Sequence, residues 1–135
     1  MKIKYKAGYK YQLHEDCSCN VGICPDTDIR VPYITLDTGG KLTIEAGYAW
    51  DGPSGPTFDT RTFMRGSLVH DALYQLIRLG CIEPHHRKDA DRILYEICRD
   101  DGMCSIRAEW VYQAVRAFGN ACINPNGERK LLTAP

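Results

Sequence analysis

Two ionisable side chains, His70 and Asp91, stand where amphipathic helices should carry hydrophobes. Helical spacing of 100° per residue predicts a helix over Arg61–Leu79. Phe63, Gly66, Val69, Leu73, Tyr74, Leu76 and Ile77 share one face of it, and His70 falls inside that face. The same spacing predicts a second helix over Pro84–Arg99. Its apolar stripe is Ala90, Leu94, Ile97 and Cys98, with Asp91 on the edge. Only Gly80–Glu83 separate the two helices, so they must run antiparallel. His70 lies nine residues before the end of the first helix and Asp91 seven residues into the second. At ~1.5 Å rise per residue, both stand at about the same height above the connection. An imidazole facing a carboxylate on a neighbouring helix is a general base with its orienting group. The competing reading is a structural pair that ties two helices, because a buried charge needs a partner whatever its use.

The elements around this pair follow from the rest of the chain. Ile3, Tyr5, Ala7, Tyr9, Tyr11 and Leu13 alternate with Lys2, Lys4, Lys6 and Lys10, the period-two pattern of a half-buried strand with a basic outer face. His14–Asp28, rich in Cys, Asp, Asn, Gly and Pro, reads as a loop. Ile29–Asp37 reads as a second strand, with Pro32 pointing to an edge position. Thr38-Gly39-Gly40 is a turn. Lys41–Tyr48 alternates again, with Leu42, Ile44, Ala46 and Tyr48 on one face. The expected fold class is therefore α+β. An antiparallel β unit (1–49) leads through a Gly/Pro loop (50–60, WDGPSGPTFDT) to a helical core (61–119) within one domain, and a polar tail (120–135) follows. In the third helix Ile106, Trp110, Val111, Ala114, Val115 and Phe118 share a face, so Trp110 and Phe118 read as core. Gly119 reads as the helix stop.

Composition narrows the function classes. The chain has 135 residues, 44% hydrophobic and 25% charged, with formal net charge zero. Neutrality and the lack of an arginine cluster disfavour nucleic acid as a partner. No apolar run approaches a membrane span. Met1–Lys10 lacks the apolar core of a secretory signal, so export by such a signal is not expected. Seven cysteines, an odd number, argue against an obligatory disulfide framework. His14, Cys17, Cys19 and Cys24 supply four possible zinc ligands over eleven residues. Their spacing is wrong for a zinc knuckle or ribbon, and surface or core thiols are the preferred reading. His85 and His86, beside Arg87 and Asp89, open a helix after Pro84 and read as solvated.

The ordered strings WDGPSGPTFDT, FMRGSLVHDALY, RKDADRILYE and YQAVRAFG resemble a family of small phage and prophage proteins of unknown function, over about residues 45–119. That resemblance implies a phage or prophage origin. It also implies a place in the host cytoplasm or the virion, with other virion proteins as possible partners.

The run His70-Asp71-Ala72-Leu73-Tyr74, with Asp91 opposite and the string Trp110–Gly119 in the same order, is similar to secreted phospholipases A2, especially the small bacterial ones, over roughly residues 66–119. This similarity implies a phospholipase-A2-like three-helix core. In it His70 would take a proton from water, Asp91 would hold the imidazole tautomer and Tyr74 would hydrogen-bond Asp91. It further implies Ca²⁺ held by Asp71 and by the Gly-rich loop, including Asp51, to polarise an ester carbonyl. The loop WDGPSGP departs from the phospholipase calcium loop, and the paired disulfides of those enzymes are not evident beyond a possible Cys98–Cys104 bridge. Two functions stay open. One is a hydrolase of phospholipid or another ester. The other is a non-enzymatic phage protein (a tail, neck or capsid-associated component, or an accessory factor) in which the pair is structural.

Overall fold

A computed structural model describes residues 5–6, 11–50 and 61–119. The chain divides into two compact units, Met1–Thr60 and Arg61–Pro135. The first holds antiparallel strands and the second three helices, the expected α+β arrangement.

In the first unit, β1 (Tyr5–Lys6), β2 (Tyr11–Leu13) and β7 (Ala49–Trp50) form a three-stranded sheet in the order β1-β2-β7. The single strand expected over Ile3–Leu13 is instead two short strands that pair antiparallel, Tyr5 opposite Leu13 and Lys6 opposite Gln12. Alternation alone cannot reveal such a reversal, because both arms keep the same period. Lys2, Lys4 and Lys10 lie outside the described residues, as does the side chain of Lys6. Trp50, expected to open the loop, ends β7. It is buried, with its ring 5.7 Å from that of Tyr11.

The second sheet has the order β3-β6-β5-β4, built from β3 (Cys17–Asn20), β4 (Ile29–Val31), β5 (Ile34–Leu36) and β6 (Lys41–Ile44). Its register puts Cys17, Ile44 and Ile34 in one row and Cys19, Leu42 and Leu36 in the next. These rows form the buried face, while Ser18, Thr43 and Thr35 occupy the other. Two expectations are corrected here. β3 lies inside the segment read as loop: its small polar residues carry little strand preference, and pairing with β6 overrides that preference. Ile29–Asp37 is a hairpin, not one strand. Pro32 cannot donate to a ladder, and Tyr33 beside it takes φ 70°, so the chain reverses there. The expected turn is present, with Asp37 Oδ1 accepting from the N–H groups of Gly39 and Lys41 at 3.0 and 2.9 Å. β6 ends at Ile44, and Ala46, expected on the buried face, is exposed.

In the second unit α1 (Met64–Arg78) packs on α2 (His86–Asp100), and α2 packs on α3 (Ser105–Phe118). α1 and α2 end the same way. Gly80 (φ 76°) donates to Ile77 O while Cys81 N–H reaches Leu76 O at 2.9 Å. Gly102 (φ 105°) donates to Arg99 O while Met103 N–H reaches Cys98 O at 2.9 Å. This paired closure stops a helix in one residue and needs the left-handed backbone that glycine supplies. The chain then turns back, and α1 and α2 lie antiparallel. Arg65, in the first turn of α1, makes a two-pronged ion pair with Asp101 at the end of α2, Nη2 to Oδ1 at 2.9 Å and Nε to Oδ2 at 3.1 Å. Gly66 permits the close approach of the two helices, because a Cβ there would stand 2.9 Å from Leu94 Cδ1 and 3.0 Å from Cys98 Sγ.

Phe63, Leu94, Cys98, Met103, Ala108 and Val111 form the core that joins α2 to α3, with Tyr95 and Val115 packed against it. Here the reading of α3 is corrected. Its inward stripe is Ala108, Val111 and the partly buried Val115, whereas Ile106 and Trp110 are 83% and 55% exposed. α3 carries apolar residues at two helical phases. Periodicity cannot say which phase meets α2, and the smaller side chains are the ones buried. The side chain of Phe118 is outside the described set. Cys98 is a buried thiol and Cys104, just before α3, an exposed one. Both are free, so no bridge joins them. Burial and then the Asp101 charge push the Cys98 thiol up to about 12, which makes it a packing group and not a nucleophile.

Candidate active site

The helix phases place His70 and Asp91 as the spacing requires. Asp91, expected at the edge of the stripe, is fully buried, and His70 Nε2 lies 2.7 Å from Asp91 Oδ1. Tyr74, one turn after His70 on α1, donates its hydroxyl to the same oxygen at 2.5 Å, and the two rings lie 4.1 Å apart. The other carboxylate oxygen faces α3. Arg116 Nη1 donates to Asp91 Oδ2 at 2.9 Å, and Arg87, one turn before Asp91 on α2, approaches that oxygen at 3.7 Å. Arg87 also closes the end of α3, with Nη1 donating to Val115 O at 3.1 Å and Nη2 to Arg116 O at 3.2 Å. One carboxylate therefore holds side chains from all three helices.

This geometry fixes protons. Burial would raise the Asp91 carboxyl, but hydrogen bonds from His70, Tyr74 and Arg116 outweigh it and hold the group below the usual carboxylate range. An ionised carboxylate only accepts, so His70 must donate to it from Nε2–H. The lone pair of the neutral ring is then on Nδ1, which takes no hydrogen bond from the described residues. The His70 side chain is 13% exposed. Burial, and then the bond to Asp91, push the Tyr74 phenol far above its ordinary value, so it remains a donor.

The depressed Asp91 carboxyl has a pH consequence. An acid with a lower pKa folded than unfolded stabilises the fold above its unfolded value, about 3.9, and that contribution fades as pH falls through the folded value. Denaturant melts between pH 6 and 3 should show the wild type losing more stability than Asp91→Asn, which has no proton to take up at this position. Equal losses would mean that Asp91 is not held ionised by its partners.

Arg87 and Arg116 were not assigned to the site by the sequence. Both fall within the strings RKDADRILYE and YQAVRAFG, and Arg87 has the i,i+4 spacing to Asp91 that supports ion pairs. Gly119 has a role beyond stopping α3. Its backbone is right-handed (φ −67°), but a Cβ would overlap the Tyr74 hydroxyl and come 2.7 Å from Arg87 Nη1. The bare backbone lets the end of α3 reach the Asp91 cluster. Gly119→Ala should cost roughly 1–3 kcal/mol, read from denaturant melts, because overpacking against two fixed polar groups outweighs the helix preference of alanine. A neutral or stabilising result would show that α3 can shift away freely.

The expected metal residues are placed as follows. Asp71 follows His70 on α1 and is partly buried. Asp51, its expected companion, lies outside the described residues. Among the described residues no three His, Cys, Asp or Glu side chains come together as a metal site. Calcium takes about six to eight oxygens, and the Gly-rich loop expected to supply most of them, 51–60, lies outside the described residues. For the zinc types, Cys17 and Cys19 share one face of β3, Cys17 is buried, and His14 and Cys24 are exposed. His86 Nδ1 bonds Asp89 Oδ2 at 2.9 Å, with the His85 ring tilted beside its own at 4.1 Å. No helix among the described residues is long and apolar enough to cross a membrane.

A family model described as "Protein of unknown function (DUF1353)" matches residues 28–115. That stretch includes β4 to β7, α1, α2 and most of α3, leaves out β3, and stops just before Arg116. Neither the curated proteins nor the solved structures include a significant match to the chain.

Proposed function

The chain belongs to the DUF1353 family, proteins of unknown function, and for this member we propose a hydrolase of phospholipid or a related ester, encoded by a phage or prophage, with His70 as general base. The observation that carries the reading is the Nε2 bond of His70 to a fully buried, ionised Asp91, which leaves the Nδ1 lone pair for water. Nδ1 takes a proton as water oxygen attacks the ester carbonyl. The new C–O bond forms a tetrahedral oxyanion, which collapses with cleavage of the ester C–O bond. The imidazolium returns its proton to the leaving alkoxide. Asp91 stays ionised throughout and keeps the ring in one tautomer, and Tyr74 and Arg116 keep Asp91 in place. The likeness of His70-Asp71-x-x-Tyr74 and Asp91 to phospholipases A2 supports the substrate class. The ordered strings support the phage origin, and with it virion proteins as partners.

Calcium at Asp71 and Asp51 is the accompanying proposal. The test is release of fatty acid from micellar phospholipid, and hydrolysis of simple soluble esters, by the wild type with added calcium and with chelator. Turnover lost on chelation supports the ion, and turnover kept with chelator assigns the chemistry to the side chains alone. No turnover on any substrate by folded protein would sink the hydrolase. The second reading, a non-enzymatic phage protein, would then stand. It draws on a specific observation: Asp91 has more polar partners than an orienting group requires, and those partners tie three helices together. Mass spectrometry of purified particles separates a virion component from an infected-cell factor.

A further inference from the structure

Arg116 has more donors than its structural bond uses. A guanidinium carries five N–H donors in a planar fork. One Arg116 nitrogen, Nη1, bonds Asp91 Oδ2, and no described residue bonds the other nitrogens. The side chain is 30% exposed, against 13% for His70 and 12% for Arg87. His70 bonds the opposite oxygen of the same carboxylate, so Arg116 and the imidazole flank one group. Arg87 and Arg116 bring two positive charges to the single negative charge of Asp91, with Tyr74 held as the neutral phenol. Asp91 cannot turn to satisfy the rest of Arg116, because both its oxygens are already taken. A planar fork with unused N–H groups, fixed by one anchored nitrogen, matches an anion with two or more oxygens.

We propose that Arg116 is the anion-binding residue of the site, taking an anionic substrate oxygen beside the His70 base. Arg116 would thus supply from the protein itself a positive group for oxygen charge. The inference rests on the hydrolase reading for its use in catalysis, but anion binding itself does not. Two sources offer that oxygen: a charged group already on the substrate, or the oxyanion that forms as water attacks the carbonyl.

The experiment titrates the intact chain with inorganic phosphate, against chloride at equal ionic strength, and follows the His70 ring resonances by NMR. Phosphate should shift them saturably, whereas chloride should not. Arg116→Lys keeps a cation on Asp91 but loses the fork, and should weaken phosphate binding roughly ten- to hundredfold, the range for hydrogen bonds to charged groups. Arg116→Gln should abolish it. Retention of the Nε2–H signal of His70 in each variant confirms that the Asp91 bond survives. Arg116→Lys decides the matter if Arg116→Gln does not fold. Wild type that ignores phosphate, or an Arg116→Lys that binds it unchanged, would overturn the proposal.

Turnover of an anionic and a neutral ester by Arg116→Lys locates the source. A rise in KM for the anionic ester alone assigns the substrate's own charge, and an equal fall in kcat for both assigns the developing oxyanion. No change on either would also overturn the proposal. If the wild type turns nothing over, the phosphate titration still decides, so the anion site can survive the failure of the hydrolase.

Discussion

His70→Gln is expected to lower phospholipid or ester turnover by roughly 10²–10⁴-fold, the ordinary worth of a positioned general base, and to shift the melting temperature little. The two effects separate because of what glutamine keeps. Its amide N–H can still donate to Asp91 Oδ1, the bond His70 makes at 2.7 Å, so the carboxylate is not stranded. The amide has no basic nitrogen to replace Nδ1, so water is no longer deprotonated. Initial rates on micellar phospholipid, set beside thermal melts, measure both. Turnover within a few-fold of wild type would remove His70 from the chemistry, even if the protein proved to be an esterase by another route.

Asp91→Ala should produce the largest loss of stability. Removing one partner of a buried ion pair typically costs ~3–5 kcal/mol, since the charges left behind lose their counterion. Arg87 and Arg116 then face each other with no carboxylate between them, His70 loses its orienting acceptor, and the buried Tyr74 hydroxyl loses its bond. Arg116 reaches solvent, which discounts the penalty to about 3 kcal/mol, the low end of that range. For a chain of this size that is a fall of about 10 °C in Tm. The same variant should be inactive if the hydrolase reading holds. A large fall in Tm with no wild-type activity to lose is the signature of the structural alternative. A melt unchanged within 1–2 °C would contradict the geometry itself.

These two residues were legible in the sequence because helices translate spacing into position. The phase of His70, the phase of Asp91 and a short connection leave little freedom, and Tyr74 follows as the next residue one turn on. Arg87 and Arg116 were not legible as a pair. A charged residue on a helix usually means solvent, and nothing local states that α3 returns to the buried carboxylate. The same gap produced the error over Trp110. Which face of α3 meets α2 depends on how the chain leaves Gly102, and apolar spacing was available at two phases. In the strands, period two identified the buried rows through Leu42 and Ile44. It could not distinguish one long strand from two arms of a hairpin at Pro32-Tyr33, nor find β3, whose pairing with β6 is a long-range event. Gly119 was read for its place in the sequence, while its importance lies in the atoms it lacks.

The polar closure of α3 also bears on how this unit opens. Its apolar attachment to α2 is made by Ala108, Val111, part of Val115 and an edge contact of Tyr112 with Tyr95, and no side chain caps its first turn. Its far end is held by Arg87 on the carbonyls of Val115 and Arg116, and by Arg116 on Asp91. Undocking of α3 must break both parts of this closure, so release of the Val115 and Arg116 carbonyls and loss of the Arg116 cation from Asp91 Oδ2 form one cooperative opening, while His70 and Tyr74 keep their bonds to Oδ1. Amide hydrogen exchange in the last turn of α3 would then report, without any substrate, how often this closure opens.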